Sequence, residues 1–227
     1  MSEAVKFGWS RRGMLGGVAA AGMLGLSGCA SMGGFSFTEA VRRLLQLSTE
    51  NAFALLTAPG GFWDRQVARL ALPDVFGGRG GIAQSLLTSA AFRERLQHQL
   101  NIAAEAGARR AAPIVAETVR AISIPAALEL LRGGPSAATD FLRGNMGSSL
   151  AEAMVPALGD GIRLASDPVV GQALKALSGV DVTGVARGFS AQVDNAIWGE
   201  VGRQEAQIRA HPESTRDPLL IAAFKLL

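Results

Sequence analysis

From Phe92 to Thr118 the chain keeps a helical period without a break, and no other feature narrows its possible folds so far. Phe92, Leu96, Leu100, Ala103, Gly107, Ala111, Ile114 and Thr118 fall on one narrow stripe of a helical wheel. Asn101, Glu105, Ala108, Ala112 and Val119 form a second face, whose small residues let another helix approach closely. The spacing predicts one helix from about Ala90 to Ala121, with room for a bend at Pro113. A helix buried on two sides belongs at the centre of a bundle. Glu105 lies within the small-residue face, so it must pair or reach water, because an unpaired buried charge is strongly unfavourable.

The other segments repeat the pattern. Thr38 is the expected N-cap of a first helix, with Val41, Leu44, Leu45, Ser48, Ala52, Leu55 and Leu56 on one stripe, ending near Ala58-Pro59-Gly60. Phe62 to Pro73 reads as a connector. Gly77-Gly78-Arg79-Gly80-Gly81 reads as a loop, since the Gly-Lys-Ser/Thr of a phosphate-cradling turn is absent. Ser123 is the expected cap of a helix that stops at Gly133-Gly134, and Ser136 to about Arg143 forms the next. Ser148 restarts a helix through Leu158, and Asp167-Pro168 begins a short one to about Leu177. Thr183 begins the last long helix, to about Ala210, where Phe189, Val193, Ile197, Val201 and Ile208 make the core stripe. Asp194, Trp198, Glu205 and Arg209 line up beside it. Pro218 to Leu227 is a short apolar helix. Sustained period-two alternation is missing and β-branched residues are sparse, so the fold class is all-α. The expectation is a single compact multi-helix bundle over 38–227, with a long central helix and a long C-terminal helix.

The start of the chain reads as an address. Lys6, Arg11 and Arg12 make a positive n-region, and Leu15 to Leu26 is an uncharged run diluted by Gly and Ala. Leu26-Ser27-Gly28-Cys29 resembles the bacterial lipobox, in which the cysteine is acylated and becomes the new N-terminus. The uncharged run Gly13 to Ser31 approaches the length of a membrane span, but its glycines and the lipobox favour cleavage. Ser10-Arg11-Arg12-Gly13-Met14-Leu15 looks like a twin-arginine export motif, and an ordinary positive n-region is the alternative. The expected organisation is an export signal over 1–28, a lipid-anchored tether over 29–37 and the helical domain beyond. Ala30 follows the cysteine, and no Asp that would favour inner-membrane retention, so the expected address is the periplasmic face of the outer membrane. The expected partner there is the membrane itself, through acylated Cys29.

Charge and chemistry exclude more than they assign. The net charge is +3, of which Lys6, Arg11 and Arg12 against Glu3 supply +2, leaving about +1 for the rest. Arg42-Arg43 and Arg109-Arg110 read as solvated pairs on helices, and no nucleic acid is implied. The chain has one cysteine and no tyrosine, so no intramolecular disulfide can form. His98 and His211 have no neighbouring histidine, so neither a metal nor a cofactor is implied. No Gly-x-Ser-x-Gly elbow is present. Glu105 and Glu205 are the two acids that a paired-carboxylate hydrolase could use. The balance of these features is against an enzyme.

Several ordered blocks resemble DUF4197, a family of bacterial envelope proteins of unknown function. Leu70-Ala71-Leu72-Pro73 looks like its short apolar segment, and Asn101-Ile102-Ala103-Ala104-Glu105 followed by Pro113 is similar to its Asn-Arg-Ala-Ala-Glu block. Leu130-Leu131-Arg132-Gly133-Gly134, with Ala137-Ala138-Thr139-Asp140-Phe141-Leu142-Arg143, is the most specific match. Asp194, Glu205, Ile208-Arg209 and Pro212 fit its C-terminal helix, and Leu219-Leu220 to Phe224 fit its tail. The resemblance runs from about Leu70 to the end. Ile102, Ala126, Asn195 and Gln204 depart from the family pattern. The resemblance implies a helical envelope protein and no activity.

The polar set that stands out is Asn101, Glu105, Thr139, Arg143, Asp194, Glu205 and Arg209. One reading makes it a structural network that fastens the central helix to the last one. The other makes it the lining of a pocket that orients a ligand. Three functions follow: an interaction or scaffold module with an envelope protein partner, a carrier or sensor of a hydrophobic small molecule, and a hydrolase using Glu105 or Glu205.

Overall fold

Seven α-helices and one 3₁₀ turn build the described part of the computed structural model, which covers residues 36–65, 70, 89–163 and 182–227. The helices are α1 (Phe37–Leu56), α2 (Ala90–Ala121), α3 (Ala127–Arg132), α4 (Ala137–Met146), α5 (Ser149–Arg163), α6 (Val182–Ala210) and α7 (Pro218–Lys225). The 3₁₀ turn Pro212–Thr215 lies between α6 and α7. No strand occurs among the described residues. The leader, Cys29, the Gly77–Gly81 loop and the short helix expected after Asp167-Pro168 lie outside them.

Four helices form a ring. The extensive contacts join α2 to α5, α5 to α6, α6 to α1 and α1 to α2, whereas α2 and α6 touch little across the middle. Amphipathic stripes explain the order. Phe92, Leu96, Leu100, Ala103, Gly107 and Ala111 are buried on one face of α2, and Asn101, Glu105, Ala108 and Val119 on the other. Close approach is built in where α2 meets α5. A Cβ on Gly161 would lie 2.7 Å from the Cβ of Ala103, and one on Gly107 would lie 3.0 Å from a methyl of Leu158. The short helices α3 and α7 pack against α1, and α4 packs against α6 and α1.

Helix boundaries follow local chemistry, and some differ from expectation. Helix α1 starts two residues early because Ser36, not Thr38, is its N-cap and accepts from the Glu39 N–H. The underlying signal is Ser36-x-x-Glu39, the capping-box spacing. Ser123 does not cap α3; Ala126 holds that position with no side-chain bond. Helix α4 continues through Gly144 to Met146 before Gly147 ends it at φ +54°. An interior glycine costs only about 1 kcal/mol, and Leu142 and Met146 are both buried. Helix α5 runs past Pro156 and Leu158 to Arg163. The remaining long boundaries, α2 and α6, agree with the sequence to within a residue.

Candidate functional site

The sequence-selected polar residues divide into three groups at different places in the bundle. The first binds the backbone ends of other helices, the second holds the chain between α1 and α2, and the third is a side-chain network along α6.

The first group surrounds Glu205, which has no exposed surface. Its Oε1 accepts from the Ala138 N–H at 3.0 Å, and its Oε2 accepts from the Thr139 N–H at 2.7 Å and the Thr139 hydroxyl at 2.6 Å. These amides belong to the first turn of α4, whose donors have no partner within their own helix. The usual cap residue, Ser136, makes no cap bond and turns its hydroxyl to Asp140 instead. Glu205 therefore caps α4 from α6, and its charge also complements the positive end of the α4 dipole. Arg209, one turn later, binds Glu205 Oε1 through Nε at 2.8 Å. Its two Nη groups reach the carbonyls of Leu131 at 2.7 Å and Leu130 at 2.8 Å, closing the last turn of α3. The guanidinium also lies over the Phe224 ring of α7, 5.6 Å from its centroid. One ion pair thus joins four helices.

The second group faces the chain between α1 and α2. Glu105 Oε1 accepts from the Gly60 N–H at 2.9 Å, and Arg109 stands 3.6 Å from Oε2 while donating to the Thr57 carbonyl at 2.8 Å. Gly60 has φ +75°, and a Cβ on Gly61 would lie 2.5 Å from the carbonyl oxygens of Leu55 and Leu56, so the turn needs both glycines. One turn earlier, Asn101 and Gln97 bracket Leu70. Asn101 Oδ1 accepts from the Leu70 N–H at 3.2 Å, and Gln97 donates to its carbonyl at 2.8 Å. Glu105 and Asn101 thus hold the connector onto α2, not α2 onto α6, which corrects the arrangement expected from the helical wheel.

Burial pushes the Glu105 carboxyl above its ordinary value, opposed by the Gly60 N–H, Arg109, the Gly61 N–H and His98. A raised value means that the folded chain holds this proton more tightly than the unfolded chain. The contribution of Glu105 to stability therefore falls as pH rises from its ordinary value of 4.5 through the raised one. Glu105→Gln removes that slope. Urea unfolding from about pH 4 to about pH 7 should show the stability of the parent chain declining relative to the variant.

The third group lines an open groove of about 390 Å³ between α4 and α6. Arg143 donates from Nη2 to Asp194 Oδ2 at 3.1 Å and to Asn195 Oδ1. Trp198 Nε1 donates to Asp194 Oδ1 at 3.0 Å. Burial raises the Asp194 carboxyl against the opposing pull of Arg143 and Trp198. Further along α6, Arg203, which also lines the groove, pairs with Glu200, a buried acid that also accepts from Gln204 at 2.8 Å. Sequence reasoning passed over Glu200 and Arg203, although their spacing of three is that of a helix ion pair.

Two arginines expected on a solvated face are instead engaged with the ends of other helices, Arg42 directly and Arg43 through Asp217. Arg42 donates to the carbonyls of Val119 at 2.7 Å, Arg120 at 2.9 Å and Ile122 at 3.3 Å, closing the end of α2. Arg43 binds Asp217 at 2.6 Å, and Asp217 caps α7 through the Leu219 and Leu220 amides. Burial acts to raise the Asp217 carboxyl, but Arg43 and the two amides outweigh it and hold it below its ordinary value. His98 is exposed, edge-on to Trp63 with ring centroids 5.0 Å apart. No group of three His, Cys, Asp or Glu side chains that could hold a metal ion occurs among the described residues. No helix among them is long and apolar enough to cross a membrane.

These features define a class: an all-helical bundle whose peripheral helices are fastened by charged side chains from the ring. The chain belongs to the DUF4197 family of proteins of unknown function, whose model matches residues 31–225. That match takes in α1 as well, beyond the span from Leu70 over which motif blocks are recognisable. No curated protein and no solved structure matches the chain significantly.

Proposed function

We propose that the chain is a lipid-anchored interaction module of the bacterial cell envelope, without catalysis of its own, held at the periplasmic face of the outer membrane through Cys29. The observation that carries the address is Leu26-Ser27-Gly28-Cys29 behind the charged Arg11-Arg12 and an uncharged Gly/Ala-rich run. The family match begins at residue 31, just after that cysteine, which fits a short tether followed by the helical unit. Support for a non-catalytic reading comes from the acids themselves. Glu205 uses both oxygens on α4 and Arg209, and Glu105 is engaged by the Gly60 turn and Arg109. They share no partner, so a paired-carboxylate cleft has nothing to support it.

The test is detergent phase partitioning of the expressed full chain, with mass analysis of its N-terminal peptide. The expected result is a diacylated or triacylated Cys29 peptide and recovery in the detergent phase, because several acyl chains anchor stably where one is marginal. Cys29→Ser should move the protein to the aqueous phase. An unmodified Cys29, or tight attachment that survives Cys29→Ser, would overturn the anchor.

A further inference from the structure

We propose that the end of the bundle where α1 begins rests on the lipid leaflet, with the uncharged links 121–126 and 144–148 as its contact surface. The proposal rests on the Cys29 anchor for the presence of a leaflet, and adds which face of the domain meets it.

Chain length sets the first limit. Residues 30–36 separate Cys29 from the first residue of α1, a reach of at most about 29 Å at full extension. Helix α2, with 32 residues, is about 48 Å long. It runs antiparallel to α1: Arg42, near the start of α1, binds the carbonyls of Val119, Arg120 and Ile122, whereas Arg109 binds that of Thr57 after its end. The start of α2 therefore lies almost a full α2 length from the start of α1, farther than the tether extends. An acylated Cys29 admits an upright bundle resting on its α1 end and excludes one resting on the start of α2.

Surface chemistry separates the upright bundle from one lying on its side. The link after α2, Ala121-Ile122-Ser123-Ile124-Pro125-Ala126, carries no charge, and Ala121, Ser123 and Pro125 are exposed. Arg42 holds its Ile122 carbonyl beside the start of α1. The second link, from Gly144 to Ser148, is also uncharged, and it exposes Gly144, Asn145, Gly147 and Ser148. Asn145 joins Ala121 and Ile122 in lining one shallow groove of about 380 Å³, so the two links belong to one surface. Glu117 is the charged member of that lining. The flank of α2 is different, exposing Arg93, Glu94, Arg95, Arg109 and Arg110. Pressing uncharged groups against lipid costs far less than dehydrating a charged flank.

The test uses the full chain, purified from membranes with Cys29 shown by mass analysis to be acylated. Cys29 is the one cysteine of the sequence, so a single introduced cysteine takes a spin label uniquely. Labels at Ser123→Cys and Arg93→Cys are compared in phosphatidylethanolamine–phosphatidylglycerol vesicles that carry a nickel-chelating lipid. Nickel at the headgroups should relax the label at 123 strongly and leave the label at 93 near its nickel-free value. Pro125→Glu and Ala121→Glu, each placing a charge in the contact surface, should each remove most of the relaxation at 123 while the protein stays bound to vesicles. Equal relaxation at both sites, stronger relaxation at 93, or relaxation at 123 that survives both substitutions would overturn the proposal. Any of those results on acylated, vesicle-bound protein leaves the anchor standing, whereas an unmodified Cys29 overturns the anchor itself.

Discussion

Glu205→Ala will lower the folding free energy by about 3–5 kcal/mol in urea unfolding, the range for breaking a buried ion pair from one side. The effect is large because four bonds end on this carboxylate. Without it the Ala138 and Thr139 amides lose their acceptor, and Arg209, with only 10% of its side chain exposed, keeps a buried charge. Water cannot reach the site freely to replace what is lost. Glu205→Gln will not be conservative either. Both oxygens accept, so either orientation of the amide aims an NH₂ group at a donor: at Ala138 and Arg209 in one case, at Thr139 in the other. The loss should fall mainly on α3 and α4, whose amide protons will exchange faster than those of α2 and α5.

The second large effect belongs to packing. Leu158→Ala will cost about 2–5 kcal/mol, since Leu158 is fully buried and its methyl fills the space above Gly107. The same geometry predicts partial rescue. A Cβ at position 107 would lie 3.0 Å from that Leu158 methyl in the parent chain, too close for comfort. With Leu158 truncated, Gly107→Ala places its methyl where the leucine was, and also removes an interior helical glycine. The double variant should therefore recover part of the loss, whereas Gly107→Ala alone should be neutral or destabilising. A thermal melt of the four proteins reads the difference.

The parts of the structure carried by short-range periodicity were legible in the sequence. The limits of α2, its two buried faces and the core stripe of α6 follow from residues three and four apart. So does the Glu205–Arg209 pair, spaced one turn apart. What the pair does was not legible, because its partners lie 66 to 79 residues away. A carboxylate that caps a distant helix has the same local signature as one on a solvated margin. Arg42 shows the point in reverse: its pairing with Arg43 suggested a charged surface, yet three carbonyls at the end of α2 surround it. Ser123 fails as the expected cap of α3, and Ser136 does not cap α4, for a related reason. The amides of α4 are already taken by Glu205, and the stretch after Ser123 turns at Pro125-Ala126 before α3 begins. Ser36 was readable and was missed, since its capping-box spacing to Glu39 stands in the sequence.

Function divides along the same line. Cys29 and the arginines before it form a local motif, so an address could be read without a fold. The groove beside Arg143 could not, because it exists only where the start of α4 lies against Gly202.

The central claim is that charges on the ring helices hold the peripheral helices by their ends. A double-mutant cycle on Glu205→Gln and Arg209→Met, followed by urea unfolding, tests it most directly. Because the two side chains share one hydrogen-bonded unit, the account predicts that the double variant loses less than the two single losses combined, with a coupling of about 1–3 kcal/mol. Additivity within about 0.5 kcal/mol, with each single variant near the parent chain in stability, would contradict it.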